Sequence, residues 1–99
     1  MFHLSLVTPG GKIFDGDIEY VSVPGTEGSL GVLSRHTPIL ALLKKGILTI
    51  KQNNEAKFFA IGAGILEVGS DHSALVLSNE ALHSADESEA AEKLKAIAK

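Results

Sequence analysis

The chain has 99 residues, 44% of them hydrophobic, with nine basic and twelve acidic side chains and a net charge of −3. That length fills one modest core rather than two, and the composition excludes a disordered chain. The basic residues are scattered, which excludes a nucleic-acid footprint, and the lack of cysteine excludes disulfides and thiolate metal sites.

The N-terminus, Met1-Phe2-His3-Leu4, has neither a basic stretch nor a long apolar one, so it does not read as a signal peptide. His3 to Val7 alternates apolar and polar residues and stops at Thr8-Pro9-Gly10-Gly11, a turn sequence. Lys12 to Asp15 and Ile18 to Val23 follow as strands, with Ile18 and Tyr20 expected on one face and Val21 on the other. Pro24 to Gly31 is too rich in glycine for a helix. Ile39 to Leu43 is the longest apolar run and reads as a buried strand. It is far short of the ~20 residues a membrane helix needs, so membrane contact would come through partners.

Ile47 to Lys51 and Lys57 to Ile61 flank Gln52-Asn53-Asn54-Glu55, a hairpin with an expected loop of about four to five residues. Ile65 to Val68 and Ala74 to Leu77 form another hairpin around Gly69-Ser70-Asp71. Strands at this spacing, with no helices between them, predict an antiparallel sandwich or barrel. After Leu77 the pattern changes. Ser84 as N-cap with Glu87 at N3 has the form of a capping box. Beyond it Ala90, Ala91, Leu94, Ile97 and Ala98 recur at helical spacing, so one amphipathic helix closes the sequence.

Motifs with chemistry are scarce. The histidines at 3, 36, 72 and 83 have no partner at metal-ligand spacing and read as surface or core filler. Ser34 and His36 lack an acid to orient an imidazole, so they make no nucleophile–base pair. Gly62-Ala63-Gly64 begins like a dinucleotide fingerprint, but Glu67 stands at the third glycine and a strand follows, so it reads as a close backbone approach. Gly25-Thr26-Glu27-Gly28 lacks the ending of a P-loop. Lys44-Lys45-Gly46 raises an alternative, a free-standing ligand-binding or lipoyl/biotinyl carrier sandwich, but the lysines lack the small or acidic neighbours a carrier lysine has. They read as a solvated turn or sheet edge.

The segment from Val23 to Leu40, with Gly25-Thr26-Glu27-Gly28 and then Gly31-Val32-Leu33-Ser34-Arg35-His36-Thr37-Pro38, resembles the signature of F-type ATP synthase ε subunits. Val7-Thr8-Pro9 with Ile13-Phe14-Asp15-Gly16, Leu43-Lys44-Lys45-Gly46-Ile47, and Ala63-Gly64-Ile65-Leu66-Glu67-Val68 are similar to flanking family segments in the same order. The resemblance implies a ten-stranded antiparallel β-sandwich over residues 1–82 and a short C-terminal α-helix over 83–99, a remnant of the family's helical hairpin. It implies a non-catalytic rotor subunit with no cofactor, joining the γ subunit to the membrane c-ring at the cytoplasmic face of a bacterial inner membrane. The tail would touch the β subunit weakly. Thr26, Glu27, Gly28, Ser29, Arg35, His36 and Pro38 are the implied contact residues toward γ and the c-ring, with Glu27 and His36 leading.

The sequence departs from the family in three places. Ser34-Arg35 replaces the usual proline–glycine before His36, and Ser29 stands where many members carry an acid. The tail reads Ala85-Asp86-Glu87-Ser88-Glu89-Ala90, with Glu89 at the arginine of the family's ATP motif. An acid there repels phosphate, so no nucleotide site is expected.

Overall fold

A computed structural model describes the chain except residues 34–37, 70, 72, 98 and 99. Ten strands precede one helix: β1 Phe2–Thr8, β2 Gly11–Ile18, β3 Tyr20–Gly25, β4 Gly28–Leu33, β5 Ile39–Leu43, β6 Gly46–Gln52, β7 Glu55–Ile61, β8 Gly64–Val68, β9 Ser73–Ser78, β10 Ala81–Ser84 and α1 Glu87–Leu94. The strands follow the order β10-β7-β6-β3-β5-β8-β9-β1-β2, with β4 paired to β3. This is the expected antiparallel sandwich, with one parallel pair, β1 against β9. The end strand β2 approaches β6 where the Gln52 side-chain amide donates to the Asp17 carbonyl at 2.8 Å.

Alternation drives the folding of the layers. Leu4 and Leu6 of β1, Leu48 and Ile50 of β6, and Leu66 of β8 are wholly buried in one core cluster. Phe14 meets Phe59 edge-on, ring centroids 6.2 Å apart, and so closes the gap between β2 and the β6–β7 hairpin. The close approach expected at Gly62-Ala63-Gly64 is real at Gly64, where a Cβ would run into the Leu77 carbonyl.

Several local expectations are corrected. The strand expected from Ile18 to Val23 is broken at Glu19, whose N–H donates to the Lys51 carbonyl as the chain passes from β2 to β3. The break resets the alternation, so Ile18 and Val21 both face the core and Tyr20 is only half-buried. The β6–β7 loop is shorter than expected, because Gln52 and Glu55 are themselves paired. Asn53 and Asn54 alone make the turn, at φ +53° and +64°. Two left-handed residues give the primed turn whose twist matches a hairpin, and asparagine tolerates it.

Ser84 is not the N-cap. It is buried at the end of β10, paired with Phe58. Asp86 caps α1 instead, its carboxylate accepting from the Glu89 N–H at 2.8 Å. Glu89 in turn accepts from the Ala85 N–H at 3.0 Å, which holds its carboxyl below the usual range, with Lys93 at 3.1 Å adding to the effect. Ala90 and Ile97 are buried, whereas Ala91 is exposed. The helix ends at Leu94, so Ile97 packs from the turn beyond it and α1 itself buries only Ala90, a narrower stripe than the apolar spacing suggests; Ala98 lies outside the described residues.

Candidate partner-binding surface

The β3–β4 hairpin places four of the residues singled out above. Gly25 pairs with Gly28, so Thr26 and Glu27 form a two-residue turn. Gly28 has φ +123°, a conformation side chains rarely adopt, and a Cβ on Gly25 would sit 2.7 Å from the Gly28 carbonyl oxygen. The two glycines thus fix a tight, protruding tip on which Thr26, Glu27, Gly28 and Ser29 are all exposed. Its base is clamped to the end of β5: the Thr26 N–H donates to the Leu42 carbonyl at 2.9 Å, and the Lys44 N–H to the Pro24 carbonyl at 2.8 Å. Between tip and strand lies a shallow groove of about 450 Å³, lined by the turn, Leu30 and Leu40 to Leu42. Pro38 is exposed just before β5. Arg35 and His36, with Ser34 and Thr37, lie outside the described residues, so the structure does not bring them to this groove or separate them from it.

The apolar run Ile39 to Leu43 is not wholly buried as expected. Leu43 faces the core, whereas Leu40 and Leu42 are 72% and 64% exposed. The sheet is covered on one face only at this strand, so an unbroken apolar run must turn half its side chains outward. Cross-strand register carries these residues into two rows on the outer face. Leu42 stands opposite Ile65, Ile65 opposite Leu77, and Leu77 opposite Val7. The neighbouring row runs Leu40, Glu67, Leu75, Ser5 and Asp15. Val7, Ile65 and Leu75 are half-buried and Leu77 is exposed, so an apolar surface extends from the hairpin groove across four strands. A second depression of about 480 Å³, lined by Val7, Ile65 and Leu77 among others, lies along the same row. Leu40 and Leu42 were missed because exposure of a contiguous run is visible only once its neighbours are paired.

The lysines of the carrier alternative are placed otherwise. Lys45 donates its ammonium to the Ile97 carbonyl at 2.8 Å, tying the tail to the sandwich, and Lys44 is exposed in the short β5–β6 connection. No helix among the described residues is long and apolar enough to cross a membrane.

The sequence profile of the ATP synthase delta/epsilon chain β-sandwich domain matches residues 1–84. The chain belongs to that family. At the sequence level it is 41% identical over 69 residues to the ATP synthase epsilon chain of Halalkalibacterium halodurans, covering 70% of this chain and 52% of that one. It is 39% identical over 69 residues to the epsilon chain of Caulobacter vibrioides, covering 70% of this chain and 80% of that one. The Rhodopseudomonas palustris epsilon chain is 42% identical over 86 residues, with coverage of 86% and 62%. The chain therefore spans between about half and four fifths of the length of these relatives. In fold, the family member resembles a chain in the Tetrahymena thermophila mitochondrial ATP synthase central stalk/c-ring, at TM-score 0.70 and 22% identity, covering 81% of this chain and 64% of that one. A chain of the Euglena gracilis mitochondrial ATP synthase (OSCP/F1/c-ring) superposes at TM-score 0.77 and 22% identity, covering 94% and 61%.

Proposed function

We propose that this chain is a non-catalytic central-stalk subunit of an F-type ATP synthase, joining the γ subunit to the c-ring at the cytoplasmic face of a bacterial inner membrane. Family membership supports the assignment to the synthase, and one observation carries the division of labour. The sandwich bears two adjoining surfaces of opposite character: an apolar row from Leu42 to Val7 on its outer face, flanked by Leu40 and Leu75, and a polar hairpin tip beside it. Contiguous exposed apolar surface suits a permanent partner, because the core of an obligate interface is depleted in charge. We assign the rows around Leu40, Leu42, Ile65 and Leu77 to γ. The tip, with Thr26, Glu27, Gly28 and Ser29, offers hydrogen bonds and one charge, and we assign it, with Arg35, His36 and Pro38, to the polar loops of the c-ring. The β subunit would meet the tail only weakly. A close-packed sandwich between two such partners transmits torque as a solid body, because packed interiors deform little.

Affinity purification of the chain from its native membranes, followed by subunit identification and intact mass, tests the assignment. The rotor reading predicts co-purification of γ and c-ring subunits with an unmodified chain. A chain that purifies alone, with a lysine carrying a lipoyl or biotinyl mass, would overturn it in favour of a carrier module.

A further inference from the structure

His3 stands in β1 between β9 and the edge strand β2, and pairing brings it opposite Asp17. Both of its ring nitrogens face carboxylates: Nε2 lies 2.5 Å from Asp15 Oδ1, and Nδ1 lies 3.2 Å from Asp17 Oδ1. A neutral imidazole has one N–H and one lone pair, so it satisfies one of these carboxylates and turns a bare nitrogen toward the other. An imidazolium donates to both. The second carboxylate oxygen of Asp15 is 3.3 Å from the Lys12 ammonium, and the Ser5 hydroxyl donates to Asp15 at 2.8 Å. Those partners, Ser5 first and His3 next, push the Asp15 carboxyl down to about 2. Asp15 is therefore an anion whenever His3 titrates.

Among the described residues, β2 presents Asp15, Asp17 and Lys12 to this cluster. On the β9 side Ser73 stands opposite, its hydroxyl donating to Asp71 at 2.7 Å. From β6, Gln52 reaches the backbone of Asp17 rather than its carboxylate. The brace matters because β2 ends the sheet path, and the β1–β2 ladder shifts register between Leu6 and Val7. An edge strand with an interrupted ladder depends more on side chains to stay paired.

We propose that His3 is a proton-operated brace: doubly protonated, it ties β1 to the edge strand β2 through Asp15 and Asp17, and loss of one proton loosens that edge. With the proton, His3 and Lys12 balance Asp15 and Asp17; without it, the same margin carries net negative charge beside the apolar rows. Donating hydrogen bonds to Asp15 and then to Asp17 raises His3 above its ordinary 6.5. A raised cation contributes its stability fully below 6.5, and that contribution disappears as pH climbs through the raised value. The lowered Asp15 works in the opposite sense: its contribution is present above 3.8 and lost as pH falls through about 2. The brace is complete in the window between, and it operates whether or not the chain docks in a rotor.

A proton NMR titration of the His3 ring in the full chain, with amide exchange read in the same samples, tests this. The His3 midpoint should lie above 6.5 in the unaltered protein and fall in Asp17→Asn and in Asp15→Asn. Protection of the β1–β2 amides, taken relative to the β6–β7 hairpin, should drop several-fold between pH 6 and pH 9. In His3→Gln that ratio should no longer change with pH. A His3 midpoint at or below 6.5 in the unaltered protein overturns the proposal without recourse to any variant. An equal loss of relative protection in His3→Gln overturns it as well.

Discussion

Replacing both Leu40 and Leu42 by alanine should leave the isolated chain folded while sharply weakening its attachment to γ. Full burial of a leucine side chain is worth about 1.5–3 kcal/mol. Leu40 and Leu42 hold 72% and 64% of their surface in water when the chain is alone. A partner covering them therefore gains about 1–2 kcal/mol from each, and about 2–4 kcal/mol from both, relative to leaving them exposed. Since about 1.4 kcal/mol corresponds to tenfold in affinity, the double variant should bind roughly 30- to 700-fold more weakly. Stability of the free chain should change by no more than about 0.5 kcal/mol, because neither side chain packs in the core. Calorimetric titration of γ with each chain, beside thermal melts of the chains alone, separates the two effects. Binding within threefold of the unaltered chain would refute the assignment of this face. A large fall in melting temperature would refute the claim that the two leucines are free of the fold.

Leu66→Ala, at a wholly buried site between β5 and β9, should cost about 2–5 kcal/mol in a denaturant titration, through lost burial and a residual cavity. Asp86→Ala removes the carboxylate that caps α1 and should cost about 1 kcal/mol, visible as a small loss of helical signal and of midpoint. Glu27→Ala alone should be mild, since an exposed ion pair is worth about 0–1 kcal/mol. The double change Glu27→Lys with His36→Ala should uncouple membrane vesicles, with ATP hydrolysis continuing while proton pumping falls; unimpaired pumping at equal incorporation would remove these loops from the coupling surface. Mg-ATP should give no calorimetric isotherm tighter than about 100 µM, or roughly −5.5 kcal/mol, and a stoichiometric one would contradict the absence of a nucleotide site.

The sandwich was legible in the sequence where alternation and turn residues agree, as in His3 to Val7 and the segments flanking Asn53-Asn54. It was illegible where one residue resets the register. Nothing local marks Glu19 as the break that turns both Ile18 and Val21 inward. The strand β4 was hidden because Gly28, Ser29 and Gly31 have little intrinsic preference for strands, and pairing with β3 overrides that. The Ser84 cap was plausible by spacing, yet burial of Ser84 in β10 leaves Asp86 as the first residue free to cap. At the candidate surface the polar tip could be read from its residues, because glycine-flanked polar segments lie outside. The apolar rows could not, since Leu42, Ile65, Leu77 and Val7 are far apart in sequence and meet only through register. His3 reads as filler in the sequence for the same reason: Asp15 and Asp17 become its neighbours through the β1–β2 pairing alone.

The central claim, one chain bridging two rotor parts through two different surfaces, is tested most directly by site-directed cross-linking in the assembled complex. The chain has no cysteine, so a thiol introduced at one position is unique. Ser29→Cys puts that thiol on the hairpin tip, and Leu42→Cys puts it in the apolar row. With a short photoactivatable reagent on each thiol, the account predicts that the tip couples to c subunits and the row to γ. Coupling of both positions to a single subunit, or of neither to γ or c, would contradict it.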